Sequence, residues 1–281
     1  MSTATATPKG VPAPARAPRR NHFLADAVTM TRRNLLHMIR YPALTIQTVA
    51  MPVVFLLLFV FVFGGTLGAG LPGVGADAGI PEYLVYVVPG ILLITIAAAA
   101  PSTAITVAMD MTEGIIARFR TMAISRAAVL TGHVLGNLLQ TLLAVALVFG
   151  VALALGFRAT TGPAEWALAA GVIVLIAFSI TWLGVAFGTA AKTVESASNA
   201  PLLLVLLPLL GSGFVPTDSM PAGVEWFAEH QPFTPFMETV RSLLTGTPMG
   251  DNGWLTLAWC AVLTLIGYVW SLRLYNRKSV K

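Results

Sequence analysis

Charged residues are scarce in this chain. Asp, Glu, Lys and Arg make up 10% of its 281 residues, whereas 56% are hydrophobic, and the mean hydropathy is +0.80. A typical soluble domain carries about 25% charged residues, so a soluble chain of this composition would lack the polar side chains needed to cover its surface. The composition therefore predicts a protein whose solvent is the lipid bilayer.

Cysteine and the usual catalytic motifs are also missing. Cys260 is the single cysteine, and the four histidines are scattered without metal-ligand spacing. The sequence contains no phosphate loop G-x-x-x-x-G-K-[ST] and no dinucleotide fingerprint G-x-G-x-x-G that follows a strand. Ser212 lies between two glycines, but Leu210 and Phe214 stand where a nucleophile elbow requires glycine. We therefore predict no catalytic, cofactor-binding or metal-binding residue in this chain.

Long apolar runs are what the chain has instead. About 20 helical residues cover the hydrocarbon thickness of a bilayer. The runs predict an all-α integral membrane protein with six transmembrane helices, an N-terminal amphipathic interfacial helix, and short re-entrant or interfacial helices before the last span. The predicted spans are residues 44–63, 83–109, 134–155, 167–191, 196–214 and 254–272.

These runs form one transmembrane domain, which we place at residues 42–275. Residues 1–20 are rich in Ala, Thr and Pro and are predicted to be a disordered cytoplasmic tail. Residues 21–41 show helical periodicity with a basic polar face, which predicts a helix at the membrane surface. Residues 215–253 are too polar to span and too aromatic for free coil, so we expect short helices at the outer interface. Residues 276–281 are predicted to be a second cytoplasmic tail.

The distribution of charge predicts an orientation. With both termini in the cytoplasm, every basic residue except Arg158 and Arg241 lies inside, and most of the 12 acidic residues lie outside. This is the arrangement that the positive-inside rule favours. It also accounts for the isoelectric point of 9.7 without nucleic acid, because the basic residues are juxtamembrane anchors. We therefore predict a multi-pass protein of the cell membrane with both termini cytoplasmic.

The second loop, residues 110–133, is the most polar stretch between two spans. Its apolar side chains recur at helical spacing, arginines surround them, and Ser125 is placed to cap the helix that follows. The apolar residues are Ile115, Ile116, Phe119 and Met122, and the arginines are Arg118, Arg120 and Arg126. A short cytoplasmic helix of this kind either receives a push from a soluble partner or lies on lipid head groups. Composition alone leaves both interpretations open.

Glu238 and Arg241 are the charged pair of the outer segment. They stand three residues apart, so on a helix their side chains are neighbours. Two interpretations follow: a structural ion pair on the helix surface, which the spacing favours, or an outer gate over a substrate path.

Three stretches resemble one known family. They are RRNLLHMIRYP before the first span, GIIARFRTMAISRAAVLTG in the second loop (114–132), and GSGFVPTDSMPAGVEWFAEHQPFTPFMETVRSLLTG (211–246). Together with the six-span layout they resemble the permease subunit of ABC type-2 exporters, most closely the actinobacterial daunorubicin-resistance-type drug permeases. The likeness covers roughly residues 29–275. The chain departs from the family at Ala123, where proline is frequent, and at His133, where arginine is frequent.

The resemblance implies a division of labour. Two permease subunits would pair, and two separate ABC ATP-binding subunits would dock on the cytoplasmic face, in a 2:2 complex. The permease itself would bind no cofactor and would not be an enzyme, since ATP and Mg²⁺ would be held by the partner subunit. The second loop would be the coupling helix, with contacts to the ATPase from Glu113, Gly114, Arg118, Phe119, Arg120, Met122, Ser125 and Arg126.

The resemblance also implies outward transport of a drug or other lipophilic or amphipathic compound. Two alternatives stay open from the sequence. The same architecture could export lipids or cell-envelope precursors, or the chain could be a membrane scaffold that transports nothing.

Overall fold

A computed structural model describes residues 42–68, 80–112 and 126–278. Within these ranges every regular element is a helix, which confirms the all-α prediction. The predicted tail 1–20 and amphipathic helix 21–41 lie outside the described residues. The predicted tail 276–281 begins inside the last helix, which continues to Lys278.

Among the residues that the structure describes, five helices are long and apolar enough to cross a membrane. The first comprises α1 (Pro42–Leu58), a π-helical turn (Phe59–Phe63) and α2 (Gly64–Gly68). The other four are α3 (Ile80–Thr112), α4 (Arg126–Ala154), α5 (Pro163–Ala190) and, at the C-terminus, a helix that spans Asn252–Lys278. Each of the five exceeds the length that a bilayer requires.

Helix α3 forms the centre of the bundle. Most of its side chains are buried, including Tyr83, Leu93 and Ala97 at 0% exposure. The run of alanines at 97–100 and the small residues that follow let neighbouring helices come close. Pro89 and Pro101 lie inside the helix without ending it, as transmembrane helices tolerate when neighbours and Ser or Thr side chains satisfy the freed backbone groups.

The expected fifth span is shorter than predicted and broken. In place of one helix over 196–214, the chain forms α6 (Val194–Asn199), α7 (Leu202–Leu206) and a 3₁₀ turn (Leu207–Leu210). Pro201 and Pro208 each remove a backbone donor and clash with the preceding turn, which explains both interruptions. The apolar stretch Val194–Leu210 is below the length of a full span.

The outer segment folds as a short 3₁₀ turn (Thr217–Ser219), α8 (Ala222–His230) and α9 (Phe233–Thr245). Helix α8 stays on the surface, with Trp226 63% exposed. Helix α9 packs into the bundle, because Phe233, Phe236 and Met237 are fully buried. It contacts α3, α5 and the final helix, which we label α10. The segment thus contains one helix on the surface of the bundle and one packed into it.

The two ends of the bundle are distinct. One end brings together the first turn of α3, the turn at 155–162 and the segment 211–251, as hydrogen bonds between them show. The other end holds the last turn of α3, the first turns of α4 and the C-terminal part of α10, where Leu130 and Tyr275 share an apolar cluster. The first end corresponds to the outer face and the second to the cytoplasmic face in the orientation predicted from charge.

Candidate functional site

The proposed coupling residues fall mostly where the structure gives no description. Glu113, Gly114, Arg118, Phe119, Arg120, Met122 and Ser125 lie outside the described residues, and Arg126 is described only as the first residue of α4. What the structure does describe is the pair of helices that carry this segment. Residues 113–125 join the last turn of α3, the central helix, directly to the first turn of α4.

The outer pair is described in full, and it forms as predicted. Glu238 and Arg241 lie on one face of α9, with Glu238 Oε1 2.5 Å from Arg241 Nη1. Arg241 is 9% exposed, and the Glu238 side chain is 31% exposed. A guanidinium this deeply buried needs further acceptors to offset the loss of water.

Arg241 finds those acceptors on two other elements. Its Nη2 donates to the backbone carbonyl of Ser212 at 2.8 Å and to that of Tyr86 at 3.3 Å. The guanidinium carbon lies 4.0 Å from the centre of the Tyr86 ring, which is a cation–π distance. Tyr86 also donates its hydroxyl to the Ser212 carbonyl at 2.8 Å. Arg241 therefore connects α9, α3 and the turn that follows the broken fifth helix.

This turn is held by close backbone approach as well. A Cβ atom on Gly90 would lie 2.9 Å from the Cα of Gly213, so only glycine fits between α3 and the turn. Tyr83 donates its hydroxyl to the carbonyl of Phe214 at 3.3 Å, and the Phe214 ring packs on Phe59 with centroids 4.4 Å apart. The turn 211–214 is thus fixed to α3 and to the π-helical turn of the first span.

Some buried polar atoms around this turn are not satisfied. Ser212 Oγ, Gln231 Oε1 and Arg241 Nε have no hydrogen-bond partner among the described residues. The amide nitrogen of Gln231 donates to the Leu207 carbonyl at 3.0 Å, one of the groups freed where the helix breaks. Buried unsatisfied groups cost stability, so these three atoms reduce what the cluster contributes to it.

The far end of α9 is capped by the turn between α4 and α5. Thr160 and Thr161 donate their hydroxyls to the carbonyls of Thr245 and Leu243, at 2.7 and 2.8 Å. These carbonyls have no partner within the helix. Gly246 then ends the helix in the left-handed region, with φ of 75°. Helix α9 is therefore fixed at its C-terminal end, by these contacts and by Arg241 in its last two turns.

A buried Asp–His pair lies at the other end of the bundle, and no sequence pattern predicted it. His133 Nε2 lies 3.1 Å from Asp110 Oδ2, and the two residues are 4% and 5% exposed. Both residues were assigned to the polar stretch between the second and third predicted spans. The structure places Asp110 in α3, which extends to Thr112, and His133 in α4, which begins at Arg126. Their separation of 23 positions in the sequence gives no local signal of the contact.

Comparison with known proteins identifies the architecture. The sequence profile of the family described as ABC-2 type transporter matches residues 26–245, most of the chain. The chain belongs to the ABC-2 type transporter family. It is thus a multi-pass membrane permease of the ABC transporter class, and its family implies an ABC ATP-binding partner.

Two curated relatives of this ABC-2 chain are permeases named for drug resistance. A daunorubicin resistance ABC transporter permease protein of Streptomyces coeruleorubidus is 29% identical over 264 residues, 93% of this chain and 90% of the relative. A probable doxorubicin resistance ABC transporter permease protein of Mycobacterium tuberculosis is 27% identical over 255 residues, 88% of this chain and 89% of the relative. The predicted likeness to drug-resistance permeases is therefore confirmed.

Proposed function

We propose that this chain is the transmembrane subunit of an ATP-driven exporter that moves a drug or other lipophilic or amphipathic compound outward across the cell membrane. The observation that carries the proposal is the similarity to permeases named for daunorubicin and doxorubicin resistance over about nine-tenths of the chain. The apolar spans agree with a lipophilic cargo, since the described membrane helices have few ionisable residues away from their ends.

The energy source would lie on another chain. The sequence has no phosphate loop, and the family operates with ABC ATP-binding partners. We propose that two copies of this permease pair and bind two ATP-binding subunits, which hold ATP and Mg²⁺ and carry out hydrolysis. Both termini would lie in the cytoplasm, on the side where the basic residues are concentrated.

Coupling would pass through residues 113–126. The proposed contacts to the ATPase are Glu113, Gly114, Arg118, Phe119, Arg120, Met122, Ser125 and Arg126. Two facts support this site. The segment has the apolar stripe and basic flanks of a docking helix, and it continues into α3, which packs against most other helices. A push on this segment would therefore reach the centre of the bundle.

The outer closure would be the cluster around Arg241. Arg241 links α9, α3 and the turn 211–214 through side-chain contacts that can be broken and re-formed. Glu238, partly exposed beside it, would hold the guanidinium in place. We propose that these contacts close the outer end of the transport path, and that outward opening separates α9 from the turn.

The first experiment is reconstitution. The permease is expressed alone and with a cognate ATP-binding subunit, purified in mild detergent, and tested for ATPase activity. Inside-out vesicles are then tested for ATP-dependent uptake of daunorubicin, the compound in a relative's name. A permease subunit predicts ATPase activity and uptake only for the complex. If the permease is stable in detergent and in nanodiscs but retains no ATP-binding partner, the result would favour the scaffold interpretation instead.

Phe119→Asp tests the coupling site within the same assay. A charge in an apolar contact would disrupt docking, so we expect loss of ATP-dependent uptake with normal membrane insertion. Phe119→Leu keeps an apolar side chain and serves as the matched control, which should retain most of the uptake. Uptake by the Phe119→Asp variant at the wild-type rate would remove Phe119 from the coupling site.

A further inference from the structure

The Asp110–His133 pair joins two helices inside an apolar environment. Nε2 of His133 on α4 faces Oδ2 of Asp110 on α3 at 3.1 Å. Val107 lies one turn before Asp110 and Leu130 one turn before His133, and both belong to a buried cluster with Val134. The pair is therefore shielded from water on the side of the bundle, where a contact between polar atoms is stronger than at a surface.

Stability alone is a weak reason for such a pair. Removing two polar groups from water is costly, and apolar side chains of similar size often stabilise a protein as well or better. His133 Nδ1, moreover, has no hydrogen-bond partner among the described residues, which adds to the cost. What a buried pair does provide is a fixed register between the elements it joins.

Its position shows which register it fixes. Asp110 stands two residues before Thr112, where α3 ends, and His133 stands two turns after Arg126, where α4 begins. The chain between these ends is the segment that the proposed function assigns to ATPase contact. Without the Asp110–His133 contact, a force applied to this segment could separate the ends of α3 and α4. With the contact in place, the same force would move both helices together.

We propose that Asp110 and His133 are positioning residues that lock the cytoplasmic ends of α3 and α4 into one unit, so that movement of the ATP-binding subunit is transmitted into the bundle. The pair contacts neither nucleotide nor cargo and acts through the segment between the two helices. This inference rests on the proposed function, because it needs an ATPase that drives transport. The inference predicts that loss of the pair lowers the number of molecules transported per ATP hydrolysed.

The test is the reconstituted complex with the permease and its ATP-binding subunit. Asp110→Leu removes one partner of the pair, and His133→Leu removes the other. We expect both variants to retain complex assembly and ATPase activity. Daunorubicin uptake per ATP should fall at least about fivefold, a factor that corresponds to the lower end of typical coupling free energies between two sites. The exchange variant with Asp110→His and His133→Asp should recover most of the ratio. Thr141→Val, which removes an intrahelical bond on α4, is the matched control and should keep the wild-type ratio.

The proposal is overturned by an unchanged ratio in Asp110→Leu, or by an exchange variant that assembles but does not recover the ratio. A distance measurement covers the case in which single variants fail to fold. In the functional Cys260→Ala protein, spin labels at Met109 and Leu135, both 39% exposed, should keep one separation through the ATPase cycle. A separation that changes with nucleotide would show that the helix ends do not move together. Absence of ATP-dependent uptake in the wild-type complex would instead contradict the proposed function.

Discussion

Arg241 shows how one side chain can organise the outer end of this permease. The chain places few basic residues on that side, and this one is almost completely buried. Its contacts divide into two kinds. The bond to Glu238 is local and partly exposed to solvent, whereas the bonds to the carbonyls of Ser212 and Tyr86 connect three separate elements. The bonds to these two carbonyls should contribute more to stability than the bond to Glu238, because exposed ion pairs contribute little.

Arg241→Leu tests this division. The substitution removes the donors for the Ser212 and Tyr86 carbonyls, and we expect a loss of unfolding free energy on the order of 2 kcal/mol. It should also increase the ATP-independent leak of daunorubicin from proteoliposomes, because the outer closure is weakened. Unfolding is followed by thermal denaturation in detergent and leak by dye fluorescence.

Glu238→Gln is the matched variant for the local contact. It keeps a hydrogen-bond acceptor and leaves both carbonyl contacts of Arg241 in place, so its cost should stay below about 1 kcal/mol and leak should not rise. Equal effects of the two substitutions would mean that the ion pair, and not the bridge to Ser212 and Tyr86, holds the outer end.

The difference between these contacts also marks the limit of sequence analysis. The Glu238–Arg241 pair was predictable because a spacing of three residues on a helix places side chains together. The Arg241 bonds to residues 29 and 155 positions away were not, and neither was the Asp110–His133 contact. Such contacts depend on which helices become neighbours, and the similar apolar composition of the helices does not reveal their arrangement.

At the scale of elements, apolar length predicted the five long helices well, because the bilayer fixes the length of a span. The break in the fifth helix was harder to predict from the sequence. The sequence shows Pro201 and Pro208, but proline is often tolerated within membrane helices, as Pro89 and Pro101 demonstrate in α3. Whether proline interrupts the helix depended on the neighbouring helices. Helix α3 is surrounded by other helices, whereas α7 is exposed, with Leu203 at 68%.

Glycine on α5 allows that helix to pack closely against α3. A Cβ atom on Gly188 would lie 2.6 Å from the Ala104 carbonyl oxygen and 2.8 Å from the Val107 Cβ. Gly188→Ala should therefore force the helices apart and lower the unfolding free energy by about 1–3 kcal/mol, the usual cost of overpacking. Thermal denaturation of the purified permease in detergent measures the change.

Gly171 on the same helix is the control for this prediction. It is exposed, and a Cβ there would meet nothing within 4 Å. Since alanine favours helix over glycine, Gly171→Ala should leave stability unchanged or slightly higher. A Gly188→Ala variant as stable as Gly171→Ala would show that α3 and α5 are not in close contact at this position.

At the scale of the whole molecule, two independent properties divide the protein into the same two ends. The sequence concentrates basic residues in the tails and in the second and fourth loops. The structure brings the turn at 155–162 and the segment 211–251 together at one end, and the ends of α3, α4 and α10 at the other. Cargo leaving the bundle on the Arg241 side would be exported only if that side faces outward, so the proposed direction of transport depends on the orientation.

Cysteine labelling in intact cells tests the orientation directly. In a Cys260→Ala background, single cysteines replace Asp218, which is exposed beside the outer cluster, and Glu195, which is exposed at the start of α6. A membrane-impermeant maleimide should label Asp218→Cys from outside and spare Glu195→Cys, because the positive-inside rule places residue 195 in the cytoplasm. Labelling of both cysteines after cell lysis would show that each of them is reactive. The reverse pattern would place the Arg241 cluster in the cytoplasm, and an outer closure at that site would then be untenable.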